Sequence, residues 1–383
     1  MKETKKSARS GVWAVVLSTL IYLLLGALYG LALIPLLEAA AARLSFGWYL
    51  LYLAGTIVVL YAAFFVELIL HEAGHLVFGL ATGYRFLSFR IGSFLLLREN
   101  DRLRVRRYSL PGTAGQCLLA PPDWNGGRLP YALYNLGGVL MNLLTAALFG
   151  ALSALCAAVP LLSLFFFAAA EGGVAFALLN GVPMRMKMVN NDGRNTLEIR
   201  RSAAARRAFW VQMKVMEETT RGVRLREMPE EYFAPLSDET DSGVTGTVRV
   251  LQENRLMDAH RFSEAETLAE ALCAADSGVI GLHRLLLGCD RMTCAALRGD
   301  ADAVRALETK EQTRFMKQLP HSITVARTAY VTALLCDRDP AAAERHRALF
   351  EKAAAAYPYP SEADAERELM ALADEAARRQ ETI

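Results

Sequence analysis

Charged residues vanish from three long stretches in the first half of the chain and are spread evenly through the second. No charge occurs from Gly11 to Leu37, none from Trp48 to Val66, and none across the 42 residues from Leu129 to Ala170. A helix needs about 20 apolar residues to cross ~30 Å of hydrocarbon. The first two runs therefore predict one membrane span each, the second continuing past Glu67, and the third predicts two, with Pro160 near the turn between them. Residues 85–110 follow a different rhythm. "RFLSFRIGSFLLLRENDRLRVRRYSL" alternates Arg with Phe, Ile, Leu and Val around a turn-like "REND", which predicts a β-hairpin.

Beyond the last apolar run the pattern is that of a soluble helical protein. "NTLEIRRSAAARRAFWVQMKVMEETTRG" reads as a basic helical stretch and "REMPEEYFAPLSDETDSG" as a linker. Three segments then recur with a spacing of 38 residues: "RFSEAETLAEAL" at 261, "GDADAVRALETK" at 299 and "DRDPAAAERHRAL" at 337. Each is a short turn followed by an Ala-rich helix, and each follows another helical run (250–257, 279–297, 322–336). Stacked helical hairpins of this kind resemble tetratricopeptide-like repeats, though the period exceeds their ~34 residues. Such arrays bind partner peptides, which makes a cytosolic protein partner an expectation beside the alternative of a purely stabilising domain.

Composition sharpens two points. The 53% of hydrophobic residues is high for a soluble protein, and the excess sits in residues 11–182. The net charge of +2 is near neutral, and no nucleic-acid partner is expected. Lys2, Lys5, Lys6 and Arg9 precede the first span. Seven arginines (Arg85, Arg90, Arg98, Arg102, Arg104, Arg106, Arg107) follow the second, Arg185, Lys187, Arg194, Arg200 and Arg201 follow the fourth, and the outer loops hold Arg43 alone. The excess of Lys and Arg on cytoplasmic loops then puts both termini in the cytoplasm. "EAAAARLS" offers small residues after the first run, but that run, about 25 residues, exceeds the ~7–15 of a cleaved signal core, so it is expected to be retained. The six cysteines show no Cys-x-x-Cys spacing and are expected to be free core residues.

Against this background "VELILHEAGHLVFGL", residues 66–80, stands out, because it places two histidines and two carboxylates inside an apolar run. An ionisable group at membrane depth costs ~2.5–3.5 kcal/mol on the more lenient scale and marks a functional site. His71 and His75 are spaced i, i+4, so on a helix both rings leave one face about a turn apart and can hold one Zn²⁺. The intervening Glu72 can then take a proton from a water that the ion activates. A catalytic zinc wants a third protein ligand and an open position. Two carboxylates near the other spans are candidates, Glu171 within "AAAEGGVAF" and Asp192 in "NNDGRN", where Asp-Gly reads as a turn after the fourth span.

These residues together resemble the site-2 protease family of intramembrane zinc metalloproteases. The likeness covers residues 48–195: His71-Glu72-Ala73-Gly74-His75; a Gly-x-x-x-Asn motif at Gly138 and Asn142; Asn180 and Pro183 at the end of the last core span; and Asp192-Gly193. The chain departs from the family in having nine residues from Pro183 to Asp192 where about five are usual, and in lacking a second proline there and an inserted PDZ-like domain. The resemblance implies Zn²⁺ held by His71, His75 and Asp192, Glu72 as the catalytic base, and Gly138, Asn142 and Asn180 as substrate-binding residues. It also implies a hairpin that holds substrate as an extended strand.

The expected architecture is a mainly α membrane protein: four transmembrane helices with a small membrane-associated β-hairpin, then a cytosolic α-helical repeat domain. Its parts are an N-terminal span and outer loop (1–47), a metalloprotease core (48–200), a basic helix and linker (201–242) and the helical-hairpin domain (243–383). The expected activity is zinc-dependent cleavage of a membrane-embedded protein or peptide within the lipid bilayer of a bacterial plasma membrane. Two other readings stay open here, a non-proteolytic scaffold that recruits a partner through its repeats and a metal or ion transporter.

Overall fold

The computed structural model describes residues 2–99, 102–109, 113–184, 190–234, 243–274 and 277–381, with backbone alone at 2–12 and 14. The centre of the "REND" turn, most of the loop after Pro183 and the second half of the linker fall outside these residues. The chain divides into two compact units. One comprises 1–92, 110–122 and 128–197; the other comprises 93–109, 123–127 and 198–383.

Four helices of the first unit are long and apolar enough to cross a membrane: α1 (Lys2–Arg43, apolar from Val15), α2 (Phe46–Ala81), α3 (Tyr131–Leu155) and α4 (Pro160–Gly181). Pro160 is the first residue of α4, where its missing N–H is harmless and its fixed φ suits a helix start. α2 packs against α3 and α4, and α1 against α4. The seams carry small residues, with Ala63, Ala168 and Ala169 fully buried, while Leu23, Val58 and Leu144 point outward. That inside-out distribution is what helices surrounded by lipid adopt, because in an apolar solvent close packing rather than apolarity drives association. α2, at 36 residues, is ~54 Å long, well beyond the ~30 Å of a hydrocarbon core. The His-Glu motif lies in its last third.

One contact fixes where that motif meets α3. A Cβ on Gly74 would stand 2.3 Å from the carbonyl oxygen of Gly137, and one on Gly137 would stand 2.6 Å from that of Gly74. The two backbones therefore touch, and only glycine on both sides lets them.

Residues 85–120 form a small antiparallel sheet of four strands, larger than the hairpin expected from the sequence: β1 (Arg85–Ile91), β2 (Phe94–Glu99), β3 (Arg102–Arg107) and β4 (Gly115–Ala120), in the order β3-β2-β1-β4. β2 and β3 are the alternating segment, paired from Phe94↔Arg107 to Glu99↔Arg102. Two things enlarged the sheet. Gly92, at φ 57°, breaks the long alternating run into separate strands β1 and β2. "GQCLLA" then returns as β4 and pairs with β1 across a register irregularity between Phe86 and Ser88. A six-residue strand with a partner distant in sequence leaves little local signal.

In the second unit the expected basic stretch is two helices, α5 (Asp192–Arg200) running into this unit and α6 (Ala203–Thr220), because Ser202 caps α6 by accepting from the Ala205 N–H. Helical hairpins follow: α7 (Gly243–Asp258) with α8 (Phe262–Cys273), α9 (Gly281–Leu297) with α10 (Ala301–Leu307), and α12 (Ile323–Leu335) with α13 (Pro340–Ala356). The short α11 (Lys310–Gln318) intervenes, and α14 (Pro360–Glu381) packs on α12. The repeat is 39 residues rather than 38. His260, Gly299 and Arg338 occupy the same left-handed position in the three hairpin turns, at φ 57°, 81° and 53°. Asp300 and Asp339 then cap α10 and α13 by accepting from Ala303 and Ala342. The turn geometry, not the Ala-rich text, marks the equivalent positions.

Candidate metal centre

α2 carries Glu67, His71 and His75 at i, i+4 and i+8, and all three are buried. The same face meets α3 at Gly138 and Asn142. A Cβ on Gly138 would lie 2.5 Å from His71 Cε1 and 2.7 Å from His75 Nε2, so the two rings fill the space that the missing side chain leaves.

Hydrogen bonds then set each imidazole. His75 Nδ1 lies 2.8 Å from the carbonyl oxygen of Tyr134, which can only accept, so Nδ1 carries the proton and Nε2 keeps its lone pair. Asn142 does the same for His71. Its Nδ2 donates to the Glu67 backbone oxygen (3.1 Å) and to Glu67 Oε2 (2.6 Å), which leaves its Oδ1 facing His71 Nδ1 at 2.6 Å. Thr145 donates a further bond to Glu67 Oε2. Buried Asn142 thus spends both ends of its amide on Glu67 and His71. This outer layer orients ligands in the way metal-binding histidines require.

Asp192 comes from the segment that follows α4. Asn191 ties the crossing together: its Nδ2 donates to the carbonyls of Leu179 (2.7 Å) and Val182 (2.6 Å), and its Oδ1 accepts from the N–H groups of Met184 and Arg194. Asp192-Gly193 is not the turn expected from the sequence but the first two residues of α5. Gly193 is needed there for close approach, since a Cβ would stand 2.1 Å from the Gly181 oxygen at the end of α4. No other residue type would let α5 start so near α4 and place the carboxylate at the histidines.

The three side chains converge. Among the described residues they form the one group of three whose ligand atoms could hold a metal ion, all within 4.8 Å of one another. His71 Nε2 and His75 Nε2 are 3.3 Å apart, and Asp192 Oδ2 is 3.2 Å and 3.5 Å from them. Ligand bonds of ~2.0–2.1 Å in a tetrahedral array put ligand atoms ~3.3–3.4 Å apart, so the three separations match the edges of such a site. Asp192 Oδ2 is buried and makes no well-formed hydrogen bond. Three acceptors facing one point repel one another unless a cation stands between them. A cation at that point would hold the Asp192 carboxyl in its ionised form, which brings one negative charge to the group.

Glu72 follows His71 on α2 and its carboxylate lies against Gly115, where a Cβ would meet Oε1 at 2.4 Å. The sheet thus reaches the site through β4. Arg90, fully buried on β1, holds that corner by donating to the carbonyl oxygens of Gly92 (2.8 Å), Thr113 (3.4 Å) and Gly115 (3.3 Å) and to the Thr113 hydroxyl. Cys117 on β4 is buried, which pushes its thiol up and keeps it protonated; all six cysteines are free.

Neither Asn180 nor Glu171 contributes an atom to the group. Asn180 donates to Phe176 O within its own helix. Glu171, the rival third ligand, is half-buried on α4 with an unpartnered Oε1 and is not in the group. Sequence reasoning noted Glu67, Arg90 and Asn191 but gave them no role in the site. Glu67 was accessible to it, one helical step before His71; the other two act through contacts that no local pattern records. Compared with protein-family models, curated proteins and solved structures, the chain matches none.

Proposed function

We propose that this chain is a zinc endopeptidase of the site-2 protease kind, hydrolysing peptide bonds in or beside membrane spans. The observation that carries the reading is the convergence of His71 Nε2, His75 Nε2 and Asp192 Oδ2 at tetrahedral spacing inside a membrane-type helix bundle. Two neutral imidazoles and one carboxylate suit Zn²⁺ and leave a fourth position for water or substrate. Zinc, when bound, polarises the scissile carbonyl and acidifies water toward pKa ~7. Glu72 accepts the proton of the attacking water and returns it to the departing amine. A peptide bond in a helix is shielded, so the substrate must be drawn out straight. Adding it as a strand beside β4, an edge of the sheet, would bring it past Glu72 and pair its backbone.

The direct test is purification of the full chain in detergent, with zinc content and cleavage of a transmembrane peptide measured together. One tight zinc with cleavage supports the protease. No zinc leaves a scaffold, and weakly held, exchangeable metal without cleavage leaves a transporter.

Two further outcomes follow. Asn142→Leu removes the acceptor for the His71 Nδ1 proton, and zinc affinity is expected to fall ~10–100-fold, the usual effect of losing an outer-layer partner. Unchanged affinity would show that α2 packing alone orients His71. For orientation, reporter fusions after residue 9, near 100 and after 240 are expected to read cytoplasm, and one near 43 outside. An external reading at 240 would reverse the topology and put the helical repeats before a different set of partners.

A further inference from the structure

The helical-repeat unit contains a polar interior for which the proteolytic reading has no use. Arg327 on α12 is 1% exposed and lies among carboxylates: Nε donates to Glu366 Oε2 at 2.7 Å, and its other nitrogens bond Asp290 and the Thr293 hydroxyl. Beside it, Glu253 on α7 is fully buried with no hydrogen-bond partner on either oxygen. Glu362 on α14 accepts from the Tyr357 hydroxyl at 2.6 Å. The interior therefore holds four carboxylates, Glu253, Asp290, Glu362 and Glu366, against one guanidinium. A second guanidinium, that of Arg224, is close by but already bonded to Asp258 and Glu368.

A buried charge without a partner costs several kcal/mol, so such a surplus persists only if protons or another cation offset it. Burial raises the carboxyls of Glu362, to about 7, and of Asp290, so protons offset part of that charge when no other cation is present.

All of these but Glu253 line a cavity of about 260 Å³: Asp290, Arg327, Glu362 and Glu366. It holds far more than one water yet is smaller than the ~300 Å³ at which drug-sized pockets begin. Two further polar atoms reach it without partners: the Oγ of Ser361, a residue 7% exposed, and the buried Nδ1 of His283. Its other walls mix an apolar stretch, including Val250, Leu251, Leu287, Ile323 and Leu369, with the paired Arg224 and Asp258 and uncharged polar residues such as Asn254.

We propose that this cavity binds a small organic cation, an ammonium or guanidinium on an aliphatic stem, with the head among Glu362, Ser361 and Asp290 and the stem along the apolar wall. A bare metal ion fits less well, because the described metal-type convergence of ligand atoms is at His71, His75 and Asp192 and not here. An extended donor can instead reach acceptors that do not meet at a point. The same chemistry is offered by a free amine and by the Lys or Arg side chain of a peptide.

The test uses the full chain in detergent, titrated calorimetrically with arginine, agmatine, neutral citrulline and a blocked Ala-Ala-Arg-Ala-Ala peptide. Arginine or agmatine is expected to bind and raise the melting temperature, with citrulline at least tenfold weaker. Glu362→Gln and the gentler Ser361→Ala are each expected to weaken binding severalfold or more while the helical circular dichroism stays the same. Binding of the peptide alone would identify a basic peptide side chain as the source, with the same cation chemistry. Equal binding of arginine and citrulline, no binding of any probe at millimolar concentration, or full affinity in both variants would overturn the proposal. Asp192→Ala is expected to leave these affinities unchanged, so this result and that of the zinc site are read separately.

Discussion

Asp192→Ala is expected to strip the protein of zinc, while Glu171→Gln leaves zinc content unchanged. The asymmetry comes from geometry. Asp192 Oδ2 stands 3.2 Å and 3.5 Å from the two imidazole nitrogens, whereas Glu171 is outside the group. Apparent binding free energies of ~10–16 kcal/mol for four-ligand zinc sites amount to about 3 kcal/mol per ligand, roughly a hundredfold in affinity. The charge adds to that, since two neutral histidines alone leave a divalent ion uncompensated in a low-dielectric interior. Metal analysis of the two purified variants decides the matter. Zinc lost from Glu171→Gln and kept by Asp192→Ala would mean that the site closes from within α4, and the role given to α5 would fall with it.

The second large effect concerns Glu72. Glu72→Gln is expected to keep zinc at the wild-type level and to lose cleavage by ~10²–10⁴-fold or more, the range ascribed to a positioned general base. The amide has the size and shape of the carboxylate, so its contact with Gly115 survives, and the three ligands are untouched. What disappears is the capacity to accept a proton. Measuring zinc and turnover on the same preparation separates this from misfolding, which would lose both. Turnover near the wild-type rate would remove Glu72 from the chemistry and force a search for another base at the β4 corner.

Both variants probe a site that depends on four separated stretches of chain. His71 and His75 come from α2, their partners Tyr134 and Asn142 from α3, Asp192 from α5, and Gly115 from β4. The glycines mark the crossings: Gly74 against Gly137, Gly138 under the rings, Gly193 against Gly181. Each removes a side chain where two backbones, or a backbone and a ring, must meet. This explains in packing terms why small residues flank the ionisable ones in "HEAGH", "LGGVLMN" and "NDG".

How much of this could be read from the sequence follows from the range of the interactions. The four apolar helices were legible because a membrane-crossing length and a lack of charge are properties of one continuous segment. The His71–His75 pair was legible for a related reason: a helix places i and i+4 on one face whatever else the chain does. The helical hairpins were visible as a repeat, but their 39-residue period emerged from the left-handed residues His260, Gly299 and Arg338, which composition does not show. The fourth strand and the helical start at Asp192 needed the tertiary structure. β4 exists because β1 is there to pair with, and α5 begins where it does because Asn191 and Gly193 let it pack onto the end of α4. The choice of Asp192 over Glu171 for the triad was likewise undecided by any local pattern. Sequence spacing determines which side chains share an element, whereas a third ligand is contributed by a different element, and only the close approach of Gly193 to the end of α4 brings the Asp192 carboxylate to the two histidines.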